Sequence, residues 1–258
     1  MSANSENKTL PPIGLVIIGD EILSSKRQDR HLAQVNELLK PRGLHISWVK
    51  MLGDNADLLV KNLRQSFADG DIVFSFGGIG ATPDDRTRQS AALALGVKIE
   101  RHPDAVAEIE AQFGEDAYPK RVLMAEYPQG AQIIPNFYNR VPGFSIQNHH
   151  FMPGFPMMAK PMVEWVLDNY YADFFQIPFI EKAVKIDQGH ESEWIDFMQD
   201  FEERFPQLRL FSLPSIHQDG RRTIDLGVEG PATIVEEGFA LILAEMEKRQ
   251  QSYTLIES

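Results

Sequence analysis

The chain has 258 residues, 43% of them hydrophobic, with a formal net charge of −12 and a pI near 5.0. That length suits one large domain or two modest ones with a proper core, and so acidic a chain lacks the broad basic surface of nonspecific nucleic-acid or anionic-membrane binders. It has no cysteine, which excludes disulfides, thiolate zinc sites, iron–sulfur clusters and cysteine nucleophiles, and fits a reducing cytosol.

Residues 1–11 are polar, hold no apolar signal core and are expected to be disordered. No apolar run approaches the ~18 residues of a membrane helix, so a soluble, cytoplasmic protein is expected. Residues 13–18, IGLVII, form a continuous apolar run, as expected of a strand covered on both faces. A loop, GDEILSSKRQ, follows. Asp29 then suits the cap of a helix with Leu32, Val35, Leu38 and Leu39 on one side, ended by Pro41 and Gly43. LHISWVKM reads as a second strand from Leu44. Asn55 caps a helix carrying Leu59, Leu63 and Phe67, which stops at Gly70. DIVFSF is a third strand, and TRQSAALALG a helix with Gly96 as its stop. Strands alternating with helices at this spacing imply parallel strands and right-handed crossovers.

Helical pattern resumes over 104–113. AQIIP, FSIQN and HHFMPG are short extended pieces, and MMAKPMVEWVLDNYY is a helix with Pro161 in its first turn or at a kink. From about residue 172 the order changes to strand, helix, strand, strand, helix. In that helix Trp194, Ile195, Met198 and Phe201 are expected inward, and Asp219-Gly220 marks a hairpin. The expected fold is α/β, a three-layer αβα domain over 12–171 with a mostly parallel central sheet. A small α+β domain (βαββα) follows over 172–258.

The stretch SFGGIGATPDD, residues 75–85, ends a buried strand just before a helix, the edge of a parallel sheet where ligands bind. Gly77, Gly78 and Gly80 let backbone approach a ligand, and a helix N-terminus favours anions. An ordinary turn with Asp84 or Asp85 as cap fits the same residues. Neither G-x-G-x-x-G nor G-K-[ST] is present, which disfavours dinucleotide hydride transfer and P-loop hydrolysis. Asp20, Glu21, Asp54, Asp84 and Asp85 follow strands and so gather on one edge. A divalent cation between them and a phosphate would turn repulsion into attraction. Pro153-Gly154-Phe155-Pro156 is a second tight turn, either a further pocket wall or simple punctuation. His149 and His150 alternate in a strand and are not expected to ligate one metal together. His102 and His190 are expected at the surface.

At these residues the chain resembles the molybdopterin-binding (MoaB/Mog-like) domain family. The branch it resembles is the N-terminal domain of competence/damage-inducible protein A (CinA). GGIGATPDDRT matches the signature, while GDEILSSKRQDRHLAQV, LGDN and PGFPMMAKPM fall at the branch's other characteristic segments, over roughly 12–168. The resemblance implies a three-layer α/β fold, a pocket for a pterin or nucleotide phosphate, and a dimer or trimer of the chain, for which FMPGFPMM suits an interface or a core equally.

In the cofactor-synthesis relatives the paired position reads Arg-Asp. Here Asp84 replaces the arginine, Asp85 keeps the shared aspartate, and Asp54 falls at the other acid those relatives use. Exchanging a cation for a carboxylate removes a phosphate clamp and adds a metal ligand. The expected function is therefore a divalent-metal-dependent nucleotide pyrophosphatase of the ADP-ribose or FAD type, with Mg²⁺ or Co²⁺ on Asp84 and Asp85. Asp84, Asp85 and Asp54 are its expected catalytic residues. Gly77, Gly78, Gly80, Thr82, Asp20, Glu21, Asp29, Arg30, Pro153 and Gly154 are its expected ligand contacts. The alternatives are a non-catalytic pterin or nucleotide binder with molybdopterin as ligand, and a molybdenum cofactor biosynthesis enzyme. QDRH, residues 28–31, stands where many members of the branch have Thr-Asn, and leaves the ligand open.

Overall fold

The computed structural model describes residues 10–256, so the disorder expected of residues 1–9 lies outside the described residues. The chain forms two compact units. One holds the chain up to Leu38 together with His45–Phe174, and the other holds Leu39–Leu44 with the chain from Phe175 onward.

The first unit opens with β1 (Ile13–Ile18), every residue buried, as an uninterrupted apolar run requires. It continues through α1 (Asp20–Leu23), α2 (His31–Leu39), β2 (Trp48–Leu52), α3 (Ala56–Asp69), β3 (Ile72–Phe76) and α4 (Thr87–Leu95). Then come β4 (Ile99–Arg101), α5 (Pro103–Phe113), β5 (Glu126–Pro128), β6 (Gln132–Ile134), β7 (Gly143–Ile146), β8 (His149–Met152) and α6 (Pro156–Tyr170). Local chemistry sets several boundaries. The Asn55 side chain accepts the Leu58 amide at 2.9 Å to start α3, and Gly70 ends it in the left-handed conformation. β2 begins at Trp48 and not at Leu44, because pairing with β1 starts at Gly14↔Trp48. There the indole lies over the bare face of Gly14 and donates to the Asp71 carboxylate at 2.8 Å. Residues expected to be loop form the single turn α1, and Pro161 lies inside α6, past its first turn.

The main sheet has the order β2-β1-β3-β8-β7-β6. β2, β1, β3 and β8 are parallel, and β7 runs against both its neighbours. Helices cover both faces, giving the expected three layers. On one face Leu59 of α3 packs with Val16 and Ile18, and Ala91 and Ile109 of α4 and α5 pack with Phe144 and Phe151. On the other, His31 of α2 stacks on Phe76, and His150 bonds the hydroxyl of Tyr171, which caps α6.

His149 and His150 go to opposite faces, as alternation demands. His149 pairs with Ser66 at 2.8 Å and stacks on Phe67, while His150 pairs with Ser145 at 2.8 Å and Tyr171 at 2.7 Å. Burial drives both imidazoles down to about 3, so both are neutral core groups. His102, expected at the surface, is half-buried. Its amide donates to the Ala125 carbonyl at 2.9 Å, its ring centroid lies 6.3 Å from that of Tyr127, and Nδ1 is buried.

The second unit contains β9 (Phe179–Asp187), α7 (Ile195–Arg204), β10 (Arg209–Ile216), β11 (Arg222–Pro231), α8 (Ala232–Arg249) and β12 (Tyr253–Ile256). Its sheet, β10-β11-β9-β12, is antiparallel throughout, and β12 adds a strand to the expected βαββα order. Lys40 belongs to this unit through its ion pair with Glu229 at 2.8 Å. Trp194, Phe197 and Phe201 form one inward stripe at i, i+3 and i+4 spacing. Ile195 was expected in that stripe, yet it is 48% exposed, because one residue's rotation past Trp194 carries it off the stripe.

Candidate functional site

From β1 the chain passes to β2 on one side and then to β3 on the other. The carboxyl ends of β1 and β3 therefore flank a topological switch point, where open parallel sheets leave a crevice for ligands. Four segments follow strands at this edge, the start of α1 with Asp20-Glu21 and the loops carrying Gly53-Asp54, Gly77 to Asp85 and Pro153-Gly154.

The glycine loop is tied inward by its carbonyls. The Thr87 hydroxyl donates to Gly77 O at 3.0 Å, the Thr87 amide to Gly78 O at 2.9 Å, and Arg88 Nη2 to Gly80 O at 2.6 Å. In a trans peptide the carbonyl and the following N–H point in opposite directions. These three bonds therefore turn the amides of Gly78, Ile79 and Ala81 away from α4, the pattern of a backbone anion nest. Gly77 has φ +102, and a Cβ there would lie 2.3 Å from the Ile18 carbonyl oxygen. Gly154 in turn lies against the Gly77 backbone, which puts the Pro153-Gly154 turn directly beside the glycine loop.

The acids divide into three sets. Asp20 and Asp54 exchange backbone bonds, Asp20 N–H to Asp54 Oδ2 at 3.0 Å and Asp54 N–H to Asp20 Oδ1 at 3.3 Å. Gly53 leaves the room this needs, since a Cβ there would meet Asp20 Oδ1 at 2.4 Å. Burial raises the Asp54 carboxyl above its ordinary value. The Asp20 amide opposes this, while the charges of Asp20, Glu21 and Asp84 add to it, so those three acids share a field. Asp84 is fully exposed and held below its ordinary value by the Thr82 hydroxyl, its own amide and Arg86. Asp85 folds back into its own loop, where Oδ2 accepts the Thr82 amide at 2.9 Å and the Thr82 hydroxyl at 2.5 Å. One hydroxyl proton cannot serve Asp84 and Asp85 at once, and the short contact makes Asp85 its main acceptor.

Among the described residues no three His, Asp or Glu side chains group so as to hold a metal ion by themselves. A cation carried on a ligand needs fewer protein donors, because Mg²⁺ is commonly held by one or two carboxylates plus substrate phosphates.

Asp29 is committed to α2, accepting the His31 amide at 3.1 Å and the Leu32 amide at 3.0 Å. Arg30 beside it is exposed. Two residues here escaped sequence reasoning. His31 is buried, its Nδ1 is 2.8 Å from Asp29, its ring stacks on Phe76, and burial lowers its pKa. Arg88 is 2% exposed and donates to the carbonyls of Gly80, Leu123 and Glu126. The absence of an apolar partner at position 88 in the TRQSAALAL stripe was its only sequence signal.

A family profile described as "Probable molybdopterin binding domain" matches residues 14–173. A CinA-like protein of Anaeromyxobacter sp. (strain K) is 29% identical over 174 residues, which cover 64% of this chain and 43% of that one. A CinA-like protein of Escherichia coli (strain SE11) is 28% identical over 95% of this chain and 68% of its own length. The chain thus spans less than half of the first of these relatives. The crystal structure of "the protein CinA with unknown function from Thermoplasma acidophilum" matches in fold with a TM-score of 0.57 at 24% identity, covering 62% of this chain and 98% of that one. No helix among the described residues is long and apolar enough to cross a membrane.

Proposed function

The chain belongs to the family of probable molybdopterin binding domains, which it shares with CinA-like proteins, and from that premise we propose that the switch-point edge binds a nucleotide or pterin diphosphate as its divalent-cation complex and hydrolyses the pyrophosphate bond. One observation carries the proposal. Burial raises the Asp54 carboxyl and the charges of Asp20, Glu21 and Asp84 add to it, on the same edge as a glycine loop whose amides turn outward. Outward amides suit phosphate oxygens, and neighbouring carboxylates suit a cation carried on those oxygens.

In this reading Gly77, Gly78, Gly80 and Thr82 orient the diphosphate, and Asp84 with Asp20 or Glu21 faces the cation, Mg²⁺ or Co²⁺. Asp85 holds the loop in shape through Thr82. Asp54 is the base, since a carboxyl with raised proton affinity is better suited to take a proton from water. The water oxygen bonds to phosphorus and the bridging P–O bond breaks, so that ADP-ribose yields AMP and ribose 5-phosphate. The water's protons pass through Asp54 to solvent. The test is incubation of the full chain with ADP-ribose and with FAD under Mg²⁺ and Co²⁺, with products separated by chromatography. AMP release that stops on chelation and in Asp54→Asn is expected. Intact substrate in every mixture at high enzyme concentration defeats the hydrolytic reading.

A further inference from the structure

The edge poses a charge problem. Its rim is acidic, its proposed ligand is a diphosphate, and the chain carries a net charge of −12. Outward amides supply partial charges only. A full positive charge within the loop's own framework would answer the problem, and Arg88 is the group in that place.

Arg88 sits at the second position of α4, 2% exposed. Its Nη2 donates to Gly80 O at 2.6 Å, and Nη1 donates to Glu126 O at 3.0 Å and to Leu123 O. Nε is buried and has no partner. Every hydrogen bond found for it goes to a backbone carbonyl and none to a carboxylate. Carbonyl dipoles solvate a guanidinium without cancelling its charge, and arginine stays protonated even where burial disfavours the cation. Tyr127, Glu126 and Asp85 are the titratable groups whose fields reach it. The bond to Gly80 O also has a geometric consequence, because it aims the Ala81 N–H out of the loop.

We propose that Arg88 is a positioning residue that makes the glycine loop an anion site. It fixes the Gly80–Ala81 peptide with its N–H outward, and it places a permanent buried cation behind the phosphate position. The proposal rests on the diphosphate reading above and deepens it, explaining how an acidic rim accepts an anion. The acids meet the cation side of the ligand from the exposed rim, while Arg88 meets the phosphate side from within.

The test is calorimetric titration of inorganic pyrophosphate and of orthophosphate into the full chain with chelator present. Wild type, Arg88→Lys and Arg88→Met are compared. Wild-type affinity is expected to hold within about threefold, or to rise, between roughly 50 and 500 mM salt, because the attracting charge is buried while the repelling acids are exposed and screened. Arg88→Met is expected to lose about a hundredfold in pyrophosphate affinity and about tenfold for orthophosphate, while Arg88→Lys, which keeps the charge, stays within about tenfold for both. A wild-type affinity that falls tenfold or more with salt would assign the attraction to exposed cations and overturn the proposal. Equal losses in both variants, alike for both anions, would reduce Arg88 to packing and also overturn it. If Arg88→Met does not fold, the wild-type salt dependence and the ratio of the two anions in Arg88→Lys decide the matter. Wild type that binds pyrophosphate only when Mg²⁺ replaces the chelator overturns this proposal alone, and wild type that binds it under neither condition sinks the diphosphate reading as well. Wild type that binds but is indifferent to Arg88 sinks the proposal alone.

Discussion

Replacing Gly77 by alanine tests whether the loop's shape comes from close approach or merely from a permissive turn. Gly77 has φ +102, and its added Cβ would sit 2.3 Å from Ile18 O, a backbone atom at the carboxyl end of β1. Gly70, which ends α3, has φ +75, but a Cβ there meets nothing within 4 Å. Both alanines pay for left-handed backbone, roughly 1–3 kcal/mol. Only Gly77→Ala adds overpacking of about 1–3 kcal/mol, because Ile18 O cannot move without disturbing β1. It also strains the Gly77 N–H to Met152 O bond of 3.0 Å. The expected difference between the two variants is therefore about 2 kcal/mol, or ~30-fold in the unfolding equilibrium. Urea unfolding followed by tryptophan fluorescence measures it, with Trp48 and Trp165 reporting on the first unit. Equal destabilisation by the two substitutions would refute the close-approach account and leave only local backbone cost.

Asp54→Asn is expected to end hydrolysis and yet to stabilise the first unit at pH 7. The folded-state pKa of Asp54 is raised, so the native state binds its proton more readily than the unfolded chain does. Wild-type stability from this group is present at low pH and is lost as pH rises through the ordinary carboxylate value to the raised one. The advantage of asparagine should therefore appear above that window and vanish below about pH 3.8, as melting curves across pH would record. The two buried histidines run the other way. Their folded values near 3 lie below the unfolded 6.5, so stability is whole above pH 6.5 and falls as the unfolded chain takes up protons. From pH 6.5 to pH 5 the loss is about 2 kcal/mol per histidine, and the urea midpoint of His149→Asn should show correspondingly less pH dependence. Chelation should leave the fold intact while removing AMP release, since among the described residues no three ligating side chains are grouped to tie an ion to the structure. A drop in melting temperature on adding chelator alone would contradict a cation that comes with the ligand.

Much of the architecture was legible because it is local. An all-buried strand announces itself as IGLVII, Asn55 and Gly70 bound α3, and Asp219-Gly220 turns a hairpin, since each depends on a few adjacent residues. The glycine loop and the acids following strands were legible for a related reason. Residues that follow parallel strands must share an edge, whatever the strand order. Boundary errors came where a distant partner sets the limit, as when Gly14 and Asp71 fix the start of β2 at Trp48. Ile195 was misplaced for a local reason, since it lies one residue's rotation off the stripe of Trp194, Phe197 and Phe201.

By itself the sequence determined the principal strands and helices, that the chain carries no thiol chemistry, and which family motif it bears, because propensity, composition and spacing are written in contiguous residues; the turn α1 and the strand β12 were not among them. The tertiary structure alone decided that β1 and β3 flank the switch point. It decided that Asp85 turns into its own loop while Asp54 keeps company with Asp20 and Asp84. It also decided that Arg88 is sealed behind the glycines. Apart from the local turn of Asp85, those outcomes depend on pairings distant in sequence, such as Asp20 with Asp54 at 34 positions and Arg88 with Glu126 at 38, whose chain-entropy cost is offset only when the whole sheet and its covering helices form together.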